Sequence, residues 1–175
     1  MPHQDKSLSD DTDAMLAAQG VGWAMRKAIQ WATITLHIKQ YVDDAGTTHI
    51  DIDQTATGGM KGTSELRALD WVPREHEDYL FGKLVGQGRW IATGSGEWEA
   101  LDQVLKDGWL EDENEKGGPN GETHVQSFVD NKERGWTAEQ IWGFAVVEGQ
   151  RYHTRRVVCR KGDQVLFVRL VYTRK

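Results

Sequence analysis

Six side chains in the last third of the chain could act together on a small organic molecule: His124, Gln126, Gln140, Trp142, Arg156 and Tyr172. An imidazole changes charge near neutral pH, so His124 could serve as general acid or base. A guanidinium or a phenol can steady negative charge developing on an oxygen, which gives Arg156 and Tyr172 their parts. The amides of Gln126 and Gln140 would orient the ligand, and Trp142 would supply an apolar wall. The same placement also suits a plain interior histidine satisfied by its neighbours, so both readings of His124 stay open.

Other combinations carry less. His37, His49, Asp51 and Asp53 share one side of a strand pair and could suggest a metal site or an acid–base cluster. The opposite side holds Ile34, Leu36, Ile38, Ile50 and Ile52, and burying those aliphatics outweighs burying unpaired polar groups. The four polar residues are therefore expected on an outer face, with no metal bound, while Gln40 and Gln54 end the inner lining. Thr57-Gly58-Gly59-Met60-Lys61-Gly62 is expected to turn, and lacks the Gly-Lys-Ser/Thr order of a phosphate loop. Cys159, the single cysteine, sits among strand residues and is expected to be inert.

The elements that must position these groups are mostly strands. Alternation from about Gln30 to Val42 and from Thr47 to Thr55, joined across Asp43–Gly46, reads as a hairpin. Further strands are expected over Thr63–Trp71, Glu75–Leu84 and Arg89–Ala92, then over Thr123–Val129, from Trp136 past Phe144, from Arg151 to Val158 and over Val165–Tyr172. Short turns between successive strands describe an up-and-down antiparallel barrel. In the third of these last strands Tyr152, Thr154, Arg156 and Val158 share one face, and Arg151, His153, Arg155 and Val157 the other. Two helical pieces are expected before the sheet, over 9–29, the first capped by Ser9 or Asp10. Glu97–Leu110 reads as an inserted helix with Leu101, Val104 and Leu105 along its stripe. The acidic, Gly-rich stretch to Gly121 reads as an exposed, mobile loop. The 97–121 insertion could be decoration, a second lid or a dimer contact.

A length of 175 residues suits one domain, 1–175, with a sizeable core. Twenty-seven acidic against 21 basic residues, a net charge of -6, disfavour a nucleic-acid partner. No run is long enough to span a membrane, and the polar start lacks the apolar core of a signal peptide, so a cytoplasmic protein is expected. Eight tryptophans are mostly packing residues, a few of which could line a cavity for a flat apolar ligand.

Gly20-Val21-Gly22-Trp23-Ala24-Met25-Arg26-Lys27 resembles the second lid helix of the intracellular fatty-acid-binding proteins, a family of calycin-like barrels. Ser9–Asp13 sits where that family begins its first lid helix, His124-Val125-Gln126 is similar to one of its strands, and Arg169-Leu170-Val171-Tyr172 to its closing strand. The resemblance implies a mainly β, up-and-down barrel under an N-terminal helical lid, with a hydrophobic small molecule inside. It places Trp23 on the lid and Arg169 and Tyr172 near a carboxylate clamp. The chain departs from the pattern in several ways. One extra residue separates Arg169 from Tyr172, Ala145 stands where a second arginine is expected, and the strand that should begin the barrel is replaced by Met1–Ser7, a loose arm or poor edge strand. The overall look is also similar to small calycin-like proteins of fungal biosynthetic pathways.

Two functions follow. One is a cyclase or isomerase, using no cofactor and acting by acid–base chemistry on a hydrophobic, polycyclic natural product. Its catalytic residues would be His124, Arg156 and Tyr172, with Gln126, Gln140, Trp142, Gln54, Arg169 and Trp23 binding. The alternative is a non-catalytic carrier of fatty acids or related lipids. A homodimer, or a partner bound through the insertion, is compatible with either.

Overall fold

Alternating side chains on short, turn-linked segments give strands that pair with their sequence neighbours, and ten of them form one antiparallel sheet. A computed structural model describes residues 2–57 and 60–174; Gly58 and Gly59 of the expected 57–62 turn lie outside the described residues. The strands are β1 Pro2–Gln4, β2 Ile34–Val42, β3 Thr48–Ala56, β4 Met60–Ala68, β5 Arg74–Asp78, β6 Gly82–Ile91, β7 His124–Asn131, β8 Trp136–Val147, β9 Gln150–Lys161 and β10 Gln164–Arg174. Their order is β4-β3-β2-β1-β10-β9-β8-β7-β6-β5, a nearly closed barrel with one break, between β4 and β5. At one end the break is narrowed by a bond from the Trp71 N–H to the Gly88 carbonyl, 2.8 Å.

The N-terminal segment joins the wall. Gln4 pairs with Tyr172 on β10 and His3 with Thr35 on β2, so β1 closes the barrel where a loose arm or edge strand was expected. Three residues suffice because both neighbours offer free ladder groups.

The lid is two helices, α1 Asp13–Ala18 and α2 Trp23–Trp31. α1 ends in a Schellman turn, with the Gly20 N–H on the Ala17 carbonyl and the Val21 N–H on the Leu16 carbonyl. Gly20 takes φ +83°, which a residue with a Cβ would resist. Thr12, rather than Ser9 or Asp10, occupies the cap position, and Asp11 accepts from the Asp13 N–H at 2.9 Å. Arg26 ties the helices, donating to Asp13 at 3.0 Å and to the Val21 carbonyl at 2.9 Å. Lys6 caps the other end of α2 through the Ile29 and Gln30 carbonyls. α2 runs through Trp31, so the first long strand begins at Ile34 and not near Gln30.

Two further expectations change. Glu75–Leu84 is not one strand but the β5–β6 hairpin, because Asp78 accepts the Leu80 and Phe81 N–H groups and turns the chain. β6 then runs unbroken to Ile91, taking in most of the separate strand expected at Arg89–Ala92. The inserted helix is instead two single turns, α3 Gly96–Glu99 and α4 Gln103–Lys106, followed by a 3-10 turn at Glu113–Glu115. Trp98, Leu101 and Leu105 of this insertion pack on Ile91, Ile141 and Val158 of the outer wall. The insertion thereby covers Ile91, His124, Ile141 and Val158 on the outer faces of β6 to β9.

The acidic loop is anchored rather than free. Glu115 is buried and forms a two-pronged pair with Arg151, both contacts 2.6 Å, and Arg151 stacks on Phe144.

Candidate active site

The barrel interior holds a cavity of about 690 Å³ under the lid. Met15, Phe81, Leu84, Val129 and Trp136 make its apolar end, and Met25, Ala28 and Ile29 of α2 roof it. The other end is polar, lined by Gln54, Glu65, Arg67, Gln140, Arg155 and Tyr172.

Strand pairing brings this polar group together. Arg67 on β4 donates to Glu65 at 2.7 Å and to the Ser127 hydroxyl on β7 at 2.6 Å, while the Gln54 amide donates to Glu65 at 3.0 Å. Burial alone would raise the Glu65 carboxyl. The charges of Arg67 and Arg155, with the bonds from Arg67 and Gln54, outweigh it and hold Glu65 below its usual range. Glu65 thus stays ionised and offsets one guanidinium.

Among the described residues Arg155 has no such partner. Its guanidinium lies 4.1 Å over the Trp142 ring and 5.2 Å from the Tyr172 ring, and its Nε and one terminal nitrogen are fully buried without a hydrogen bond. Cation–π contact compensates part of the lost solvation and leaves the N–H donors free. Burial raises the Tyr172 phenol, so it stays protonated and able to donate. Trp142 is fixed by its own indole N–H, which donates to Gln140 at 3.0 Å.

The residues read from the sequence divide between two sides of the wall. Gln54, Gln140 and Tyr172 line the cavity, and Trp142 packs in the same interior cluster. His124, Gln126 and Arg156 do not line it. They project outward, because β7 and β9 turn the opposite faces inward from those expected. His124 is wholly buried between Trp98 and Trp109 of the insertion, with Nε2 2.6 Å from Glu111. Burial lowers its pKa despite that carboxylate, and its Nδ1 is buried with no hydrogen-bond partner among the described residues, outside the cavity. Gln126 donates to Glu139 and accepts from Arg89. Arg156 stacks on Trp109, 4.3 Å away. Arg169 pairs across the sheet with Arg156 and shares its outer face. Trp23 is 68% exposed and stands off the cavity, its place under the lid taken by Met25.

On the first hairpin Leu36, Ile50 and Ile52 are buried, whereas Ile38 is 42% exposed and Gln40 also faces solvent. His37 and Asp53 are exposed, His49 bonds Asp43 at 2.8 Å, and no metal-binding cluster occurs among the described residues. Cys159 is buried in the apolar cluster.

Glu65, Arg67 and Arg155 were missed. The available signal was the spacing of Glu65 and Arg67, two charges on one face of a strand. Leu66, between them, is 72% exposed on the opposite face.

No family model matches the chain. Pericyclase pydY of Acremonium sp is 37% identical over 166 residues, spanning 94% of this chain and 84% of that protein. The probable pericyclase scpY of Mollisia scopiformis is 33% identical over 166 residues, spanning 94% and 82%. Among solved structures, a Schistosoma mansoni fatty acid binding protein in complex with arachidonic acid aligns with a TM-score of 0.58 at 13% identity, over 99% of this chain and 93% of that one. Wild-type fluorescent protein UnaG gives 0.55 at 14%, over 99% and 94%. These two likenesses concern fold, and they bear out the barrel architecture that the lid segment implied. The sequence relation runs deeper, and by it the chain belongs to the family of these fungal pericyclases, built on a fatty-acid-binding-type barrel.

Proposed function

We propose that the chain catalyses an intramolecular pericyclic cyclisation of a hydrophobic, conjugated polyene within the barrel, as a step in making a natural product. The relatives' names support the reaction class. The observation that carries the local mechanism is the unpartnered Arg155 guanidinium held over Trp142 at the polar end of the cavity.

Such a closure rearranges bonds within one molecule. The apolar end folds the chain so that the reacting carbons meet, converting conformational search into a bound geometry. Arg155 donates to a carbonyl conjugated with the reacting double bond and stabilises the negative charge that grows on its oxygen. Tyr172, protonated, is placed to give a second donor. Glu65 keeps Arg67 neutralised, so Arg155 is the free charge at this end. The acid–base part first given to His124 is not needed, and the reaction draws on no cofactor.

The test is conversion of a conjugated linear precursor by the purified protein. Expected is loss of polyene absorbance with no change in mass, reduced about 100-fold or more in Arg155→Met. Binding without conversion by the unaltered protein would favour the carrier.

A further inference from the structure

We infer that the outer wall of the barrel carries a second site, formed by Arg156 and Arg169, that binds a phosphoryl dianion. It lies outside the cavity and does not depend on the cyclisation reading.

Arg156 on β9 and Arg169 on β10 are direct cross-strand partners, so both side chains leave the same face. Like charges placed opposite one another on a sheet repel, and a carboxylate between them is the usual remedy. Among the described residues neither arginine has an acidic oxygen within 4.0 Å, unlike Arg67, Arg74, Arg151 and Arg160.

Their donors are also unspent. Arg156 is 9% exposed and donates no hydrogen bond to a described residue. Among the described residues the fully buried Arg169 Nε has no partner, and the side chain's one bond is a 3.5 Å contact to the Leu8 carbonyl. Thr154, two residues from Arg156 on the same face, has a fully buried hydroxyl that is likewise unpartnered. Two carboxylates lie nearby without answering the pair. Asp107 acts on Arg156 from beyond ion-pair range, and the Asp10 carboxylate is taken by the Arg169 backbone N–H at 2.7 Å.

The guanidinium groups of this cross-strand pair offer several N–H donors that suit a tetrahedral, multiply charged oxyanion, and a dianion would neutralise both. The site is built into its surroundings. Trp109 backs Arg156 at 4.3 Å, and a Cβ added to Gly108 would sit 3.1 Å from an Arg156 terminal nitrogen. Bound anion would therefore join the insertion to β10 and the N-terminal segment.

Calorimetric titration of the full chain at constant ionic strength tests this, using inorganic phosphate, methyl phosphate and acetate. Expected is saturable phosphate binding in the millimolar range or tighter, with acetate about tenfold weaker or more and Arg156→Met and Arg169→Met each about tenfold weaker or more. Methyl phosphate binding more tightly than inorganic phosphate would mark a phosphate monoester as the ligand; equal binding would mark free phosphate. The guanidinium Nε resonances of both arginines in the unaltered protein should move during the titration, which keeps the test independent of how the variants fold. Absence of saturable binding, equal response to acetate, unchanged affinity in folded variants, or unmoved Nε signals would each overturn the site.

Discussion

The His124 Nε2 and the Glu111 Oε1 lie 2.6 Å apart and clasp the insertion onto the outer wall of the barrel. Thr93 and Thr123 also donate to Glu111, at 2.6 and 2.7 Å. His124→Ala should therefore cost about 2–4 kcal/mol in urea unfolding, combining a buried void with a lost charge-assisted bond. Binding of an apolar probe in the cavity should survive. Gly143→Ala should disturb the same cluster, since its Cβ would lie 2.5 Å from the His124 Nδ1. Loss of cavity binding in a folded His124→Ala protein would contradict the separation of the two sides.

Arg155→Met should leave the melting temperature unchanged or raise it, because it removes a buried charge that forms no direct ion pair among the described residues. Conversion should nevertheless fall about 100-fold or more. A matched loss of stability and turnover would make Arg155 structural.

His153 is half-buried beside Phe144 and Tyr172, and desolvation first, then the charges of Arg155 and Arg151, lower its pKa from 6.5 to about 3. Its ring resonances should stay flat from pH 8 to pH 4 in an NMR titration. The unfolded chain takes up this proton near pH 6.5 and the folded one only near pH 3, so stability falls as acid is added across that window. The slope reaches about 1.4 kcal/mol per pH unit where only the unfolded form is protonated. His124 adds to the loss in the same direction below 6.5. Glu111 contributes stability above its ordinary 4.5 that is lost as pH falls through its lowered value. His153→Phe should flatten the acid limb of the unfolding curve.

Glu65→Gln should weaken the fold by about 1–3 kcal/mol, because Arg67 keeps its half-buried place over Trp142 without a counter-charge. The polar end would then hold two unneutralised guanidiniums. Affinity for an anionic apolar probe such as a long-chain carboxylate should rise while that for the matching alcohol stays level. Equal changes for both probes would deny Glu65 its role in setting the charge of the cavity.

Much of the barrel was legible from local pattern. The Gly20–Lys27 segment identified the lid through its resemblance to a family lid helix, and in the structure Gly20, at φ +83°, closes the turn from which α2 starts. The hairpins at Asp43–Gly46 and at 161–163 follow from turn chemistry that acts over a few residues. The insertion was harder to read. The stripe of Leu101, Val104 and Leu105 suggested one helix, yet the segment is broken into two turns on the outer wall; Leu101 and Leu105 pack there with Trp98, and Val104 is exposed.

The sequence by itself determined that β7 and β9 have two distinct faces, because side chains must alternate along an extended backbone. It could not decide which face looks inward. That choice normally follows from one face being apolar, but here the insertion covers the outer wall, so Ile141 and Val158 are buried outside as Val157 and Trp142 are inside. Only tertiary packing broke the tie, sending His124 and Arg156 under the insertion and Arg155 into the cavity. The physical reason is that a strand buried on both sides carries no hydrophobic asymmetry by which its orientation can be read.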